Sequence, residues 1–411
     1  MRPRSRQNLK IESILAGVYS SYWTSVAAFS GFMAIYLSHY GFSDTLVGLT
    51  ASLISLVAIV SQLALTSFLD ARPHARIRRA ITAVYFVFLA LVAALALLPM
   101  PTIAMLLVYA LAGGLSNTLP ALFNAQAFQF INIGVPLRIG WSRGMGAITY
   151  AVVAFYLGRL LESATPGILM PICLVLSVIA IAAVLLVPHP QEAAQDEAIP
   201  SLAWHAPRTS LRRLLASNRV LQLFLLSGIF MNAGQSNVFI FLTRIVEANG
   251  GGKADLGLAM FIQAGVEMPA MLLSSWLLAR FRARAILTFS LMAYVLKHTV
   301  IYAAGGLAGV YLAMALSLLC FGLYGVTAMF FANDAVRHNE KARAQALVSA
   351  TGAVSAMVGN LTAGWVVDTY GIGRLNLLCL LLQVVAFALM LLCAGLQARQ
   401  EKHPEAHLRE A

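Results

Sequence analysis

The chain has 411 residues, of which 60% are hydrophobic and 11% charged, with a net charge of +12 and a mean hydropathy of +0.80. A water-soluble domain carries about 25% charged residues, so a soluble globular protein is excluded. The four cysteines, Cys173, Cys320, Cys379 and Cys393, lie in apolar stretches with no CxxC pair and no histidine at ligand spacing, which excludes a zinc ribbon or a disulfide scaffold.

A membrane-crossing helix needs about 20 mainly apolar residues. Such runs recur at 11–38, 44–69, 80–98, 102–130, 138–162 and 167–187, and again at 219–246, 255–279, 284–304, 308–335, 343–369 and 375–397. The N-terminus, MRPRSRQNLK, is basic, but no A-x-A-like cleavage site follows it, so the first span reads as an uncleaved signal-anchor. The one long polar segment, 188–218, is rich in proline, alanine and charge and follows the sixth span. The expected fold is therefore an all-α membrane protein of twelve transmembrane helices in two pseudo-symmetric six-helix bundles. Its expected parts are an N-terminal bundle (1–187), a cytoplasmic linker (188–218), a C-terminal bundle (219–397) and a cytoplasmic tail (398–411).

Charge placement orients this layout. With the N-terminus inside, 23 of the 28 basic residues fall in cytoplasmic segments and four, Arg159, Arg244, Lys253 and Arg374, outside; Lys297 lies within a span. Positive charge is retained on the cytoplasmic side, so a multi-pass protein of the inner membrane with both termini cytoplasmic is expected. The same distribution accounts for the net charge, because the arginines flank spans without interleaved aromatics, and no nucleic-acid partner is expected. Weak repetition also relates the halves. Spans 2 and 8 each precede a short basic loop, and spans 5 and 11 are glycine-rich, Gly140 to Gly158 and Gly352 to Gly364. Small residues let helices approach closely in lipid.

Polar side chains at bilayer depth cost roughly 2.5–3.5 kcal/mol each, so those that occur point to function. Glu267 in span 8, with Gln263 one turn earlier, is the candidate proton- or substrate-binding carboxylate; a structural ion pair is the alternative. Lys297 in span 9 is a candidate partner for Glu267 or for an acidic solute, and its neighbour His298 is a candidate titrating group. Arg143 in span 5 lies deeper than Arg138 and offers a guanidinium fork. Amides and aromatics concentrate on spans 1, 4, 7 and 10, among them Tyr22, Trp23, Asn124, Asn232 and Gln235. Such a lining suits a hydroxylated or aromatic solute.

The 6 + 6 layout and the basic loop between spans 2 and 3 resemble the major facilitator superfamily. Gly140-Trp-Ser-Arg143-Gly-Met-Gly146 running to Tyr150-Ala151, together with Glu267, Lys297 and Arg343-Ala-Gln-Ala, is similar to its lactose permease and phenylpropionate permease branch. The resemblance implies that Arg143 and Glu267 touch substrate and that solute moves with a proton by alternating access. It also marks Asp70 and Arg72 as the remnant of the superfamily's cytoplasmic gating loop. The chain departs from the lactose permease pattern by carrying amides near Asn124 on span 4 and Phe321 and Tyr324 on span 10.

No HExxH or GxxxxGK[ST] stretch occurs, so neither an enzyme nor direct ATP coupling is expected. No cofactor or metal is expected. The function expected from these residues is secondary active transport, as a monomer in the bilayer, of a small polar or aromatic organic solute by proton-coupled symport. Proton-antiport efflux of a drug or siderophore is the alternative.

Overall fold

The computed structural model describes residues 6–70, 77–132, 135, 137, 139–188, 215, 218–336 and 340–402. Regular structure among them is helical throughout. The first stretch contains α1 (Arg6–Val26), a π-helical turn (Ala27–Gly31), α2 (Met33–His39), α3 (Asp44–Asp70), α4 (Ile77–Leu97), α5 (Thr102–Asn132), α6 (Ile139–Ser163) and α7 (Leu169–Leu185). After residue 218 come α8 (Arg219–Ile240), α9 (Leu242–Ala248), α10 (Lys253–Arg280), α11 (Ala283–Ala303), α12 (Leu307–Ala315), a 3-10 turn (Leu316–Leu318), α13 (Phe321–Asp334), α14 (Lys341–Tyr370) and α15 (Ile372–Lys402).

These helices make twelve traverses, because three of the expected spans are interrupted rather than straight. Backbone hydrogen bonds carry the chain through the break between α8 and α9, from Phe241 N–H to Asn237 and from Ile245 N–H to Phe241. Ten helical segments are long and apolar enough to cross a membrane by length and composition. The remaining two traverses are the polar ones. The first begins with Arg6, Lys10 and Glu12 and is broken at 27–31, while α10 carries Lys253, Asp255, Gln263, Glu267 and Arg280.

The chain divides into two compact units, residues 1–203 with 251–265 and residues 204–250 with 266–411. In the first, α1 packs on α6 and α7, α5 packs on α3 and α4, and α4 packs on α7. In the second, α8 packs on α14 and α15, α11 on α15 and α13, and α10 meets α13 where Ala270 lies against Gly322. The two lists describe the same pattern, span for span, which is the pseudo-symmetry expected of two six-helix bundles. Leu63, Val175, Leu186, Leu312 and Leu392 are exposed, as suits helices solvated by acyl chains.

Interrupted helices leave carbonyls without their usual partners, and such groups are costly in lipid. Here side chains cover them. The Tyr109 hydroxyl donates to the Phe29 carbonyl within the π turn, and the Cys173 thiol donates to the Ser25 carbonyl just before it. Pro120 interrupts α5 and has no N–H to offer the carbonyl four residues earlier; the Tyr22 hydroxyl donates to that carbonyl, Ser116 O, at 3.3 Å. In the second unit Cys320 O, beside the break between α12 and α13, keeps its helical bond from Tyr324 N–H at 2.9 Å and accepts a second from the Ser290 hydroxyl at 2.9 Å.

Of the expected linker, residues 189–214, 216 and 217 lie outside the described residues. Its last residue, Asn218, caps α8: its Oδ1 accepts from Leu221 N–H at 2.9 Å and its Nδ2 donates to Ala335 O at 2.6 Å. Asn218→Ala is expected to cost about 1 kcal/mol, the usual value of an N-cap, and Asn218→Asp, which keeps the cap and loses the second bond, less. Thermal melts of the two purified variants check the order; equal melting temperatures would remove the cap from the account.

Candidate functional site

Polar groups gather at one place in each unit. In the second unit the centre is Lys297, on the fourth turn of α11 and 0% exposed. Its ammonium donates to Ser317 Oγ at 2.9 Å and to Gln235 Oε1 at 3.2 Å. Ser317 sits in the 3-10 turn that interrupts the α12–α13 traverse, so the cation faces the C-terminal end of α12. Unsatisfied carbonyls give a helix C-terminus partial negative charge, which favours a cation. The same logic appears in transporters whose discontinuous helices hold ions.

The Glu267 carboxylate, on the half-buried face of α10, acts electrostatically on Lys297 and on Tyr294 and Cys320 beside it. The structure therefore brings together Glu267, Lys297 and Gln235, as a carboxylate and an ammonium in a desolvated setting bridged to two neutral oxygens. Ser317 was not legible as a member: it is one serine in the apolar run Leu316-Ser-Leu-Leu, and only the helix break turns it toward Lys297.

His298, the next residue on α11, is also buried, and its Nδ1 lies 2.8 Å from Tyr294 O. A carbonyl only accepts, so Nδ1 carries the proton and bonds its own helix. Asn232 likewise bonds its own helix, donating to Gly228 O at 2.8 Å. Gln263 lies on α10, half-buried, four residues before Glu267.

In the first unit, α6 presents Arg143, Gly146 and Tyr150 at helical spacing to α1. Gly146 is glycine for a steric reason: a Cβ there would lie 2.4 Å from Trp23 Cδ1 and 3.1 Å from Tyr19 O. The indole of Trp23 thus rests on the α6 backbone, edge-on to Tyr150 at 6.0 Å and to Tyr22 at 5.3 Å. The Tyr19 hydroxyl donates to Asn124 Oδ1 at 2.6 Å and feels the charge of Arg143, whose own side chain is exposed. Tyr22 is 2% exposed, with its hydroxyl on Ser116 O and its ring against Phe123 at 5.4 Å, so it braces the proline kink of α5. Arg143, Trp23 and Asn124 belong to this first cluster, and Glu267, Lys297 and Gln235 to the second. Asp70 ends α3, with its side chain outside the described residues, and Arg72 also lies outside them.

Residues 13–371 match the MFS_1-like family. The chain belongs to that family. Membership makes it a membrane transporter of the major facilitator superfamily rather than an enzyme. Solved structures agree in fold. The nucleoside transporter NupG superposes with a TM-score of 0.74 at 18% identity, covering 94% of this chain and 98% of that one; a mutant of the same transporter gives 0.75. A bacterial homologue of the human lysosomal transporter Spinster, in an inward-facing and unoccupied conformation, gives 0.67 at 11% identity, covering 96% and 98%. No curated protein sequence matches. The MFS_1-like membership also gives the twelve-traverse layout its meaning, since a transporter carries a small-molecule solute through the bilayer its helices span.

Proposed function

We propose that this MFS_1-like protein is a proton-coupled symporter that imports a small organic solute with hydroxyl groups and an aromatic ring. It acts by alternating access in the inner membrane, with both termini cytoplasmic. The observation that carries the reading is the Glu267 carboxylate within electrostatic reach of a fully buried ammonium, Lys297, whose hydrogen bonds among the described residues go to the neutral oxygens of Gln235 and Ser317. A carboxylate at membrane depth is costly and marks an ion or proton pathway. Protonating Glu267 removes its charge, and deprotonating it restores a counter-ion for Lys297, so one proton changes the electrostatics of the cluster.

On the first unit, Trp23 supplies a ring face, Asn124 an amide and Arg143 a fork of donors, which suits a solute with both an aromatic ring and hydroxyls. Nucleosides have that chemistry, and NupG is described as a nucleoside transporter, so they are the first solutes to test. The branch resemblance carried by Gly140 to Tyr150 and by Glu267 supports the same direction of transport.

The test is uptake of labelled nucleosides into proteoliposomes with and without an inward proton gradient. The expected result is gradient-stimulated accumulation by the wild type. For Glu267→Gln, loss of gradient-driven accumulation is expected, with downhill exchange retained. Uptake by the wild type that ignores the gradient would rule out coupling, and wild-type accumulation by Glu267→Gln would remove the carboxylate from the mechanism.

A further inference from the structure

A groove of about 430 Å³ runs along the second unit where α11 meets α15. Its volume falls in the range of roughly 300–1,000 Å³ typical of ligand sites, yet its walls differ from those of a solute site. Phe289 and Met292 on α11 and Phe387 and Ala394 on α15 are apolar, and Arg284 stands at one end. The one hydroxyl in the wall, Thr288 Oγ1, already donates to Arg284 O at 2.8 Å. A polar solute would find a single cation and no other partner there.

The register fits a different ligand. Arg284, Thr288 and Met292 recur every four residues, one above another on the same face of α11. The stripe from Arg284 to Met292 is about 12 Å long at the helical rise of 1.5 Å per residue. One leaflet of hydrocarbon is about half of the 30 Å core, so a chain laid from Arg284 to Met292 covers most of one leaflet, with the guanidinium at its headgroup end.

The surroundings of Arg284 have the make-up of a membrane interface. Arg280, Arg282 and Arg284 lie within five residues, and no acidic residue occurs between positions 268 and 333 or between 372 and 400. The Arg280 guanidinium stacks 4.6 Å over the ring of Trp276, which is exposed, as is Phe281. Aromatic and basic residues together are the signature of the headgroup layer, and basic pockets between transmembrane helices hold anionic headgroups.

We propose that this groove binds one anionic phospholipid, its phosphate on Arg284 and one acyl chain laid along Phe289, Met292, Phe387 and Ala394. Apolar walls hold any chain; the arginines make the site selective for a net negative headgroup over a zwitterionic one. Because the site lies on α11, the helix that carries Lys297, occupancy braces the element that holds the buried ammonium.

The test uses the full-length protein purified in neutral detergent, with phosphatidylglycerol, phosphatidylcholine or inorganic phosphate added, read by native mass spectrometry and thermal shift. Phosphatidylglycerol is expected to give one retained adduct and to raise the melting temperature, with phosphatidylcholine and phosphate giving neither. Arg284→Gln is expected to weaken phosphatidylglycerol binding about fivefold (roughly 1 kcal/mol), and Ala394→Trp, which fills the groove from its other wall, to abolish the retained adduct. Equal binding of the two lipids would overturn the selectivity, an equal response to phosphate alone would overturn the lipid assignment, and unchanged binding by both variants would place the lipid elsewhere.

Discussion

Lys297→Met is expected to lower the melting temperature of the purified protein more than any substitution of an exposed residue. The ammonium is 0% exposed and supplies the donors to Gln235 Oε1 and Ser317 Oγ. Removing it orphans both oxygens and leaves the Glu267 carboxylate without its cation. Breaking a fully buried charge pair on one side costs roughly 3–5 kcal/mol, because the surviving charge is left uncompensated; Glu267 is half-buried, so the loss expected here lies below that range. The double variant Glu267→Gln, Lys297→Met carries no charge in this cluster and is expected to melt above Lys297→Met, although it has lost one more native side chain. Such recovery is a coupling energy, the quantity a double-mutant cycle isolates. If the double variant melts below Lys297→Met by the full cost of Glu267→Gln alone, the two groups act independently, and the cluster is not an electrostatic unit. Transport adds a second readout: the double variant, even if well folded, is expected to show no stimulation by a proton gradient.

The twelve traverses were legible because hydropathy reports burial in lipid directly, and because arginines alternate in register with the loops. Their interruptions were not. Nothing in apolar periodicity distinguishes a straight helix from one with a π turn, and Ala27-Ala-Phe-Ser-Gly31 reads as ordinary apolar sequence. The breaks decide the chemistry, however. Ser317 reaches Lys297 because the helix stops at the 3-10 turn, and Tyr22, read from sequence as a cavity residue, serves a carbonyl exposed by Pro120. That pairing joins positions 94 residues apart, and local pattern carries no information about it. Glu267 and Lys297 were recognisable as charges in apolar runs, and the structure adds the oxygens that hold the lysine. Arg143 was recognisable for the same reason, but its setting, beside Tyr19 and exposed, depends on Trp23 lying against Gly146, a tertiary fact.

The glycines of α6 and α10 give the other large effect, and sequence showed only those of α6, as a small-residue pattern. Within the first unit these helices touch backbone to backbone at Gly158 and Gly257. A Cβ on Gly158 would lie 2.6 Å from Lys253 O and 2.8 Å from Gly257 Cα; one on Gly257 would lie 2.6 Å from Ala154 O and 3.0 Å from Gly158 Cα. Main-chain atoms cannot swing aside, so any side chain drives the helices apart. One turn further on, each helix terminates the other: Lys253 Nζ donates to Leu161 O at 2.9 Å near the C-terminus of α6, and Glu162 Oε1 accepts from Ala254 N–H at 2.8 Å in the first turn of α10. Cation on C-terminus and carboxylate on N-terminus each match the helix dipole they meet. Separation of the helices at the glycines would break both contacts, so overpacking here costs more than steric strain alone. Gly257→Ala is expected to destabilise by about 1–3 kcal/mol, the usual range for forcing extra volume into a packed contact. Gly265→Ala, two turns along the same helix with no atom within 4 Å of its Cβ position, is expected to melt at or above the wild type, since alanine is the better helix former by about 1 kcal/mol. Both substitutions add the same methyl group to the same helix, so propensity is common to the two and the difference reports the contact. Equal melting temperatures for the two variants would mean that α6 and α10 part without cost, and the reciprocal capping would then hold nothing.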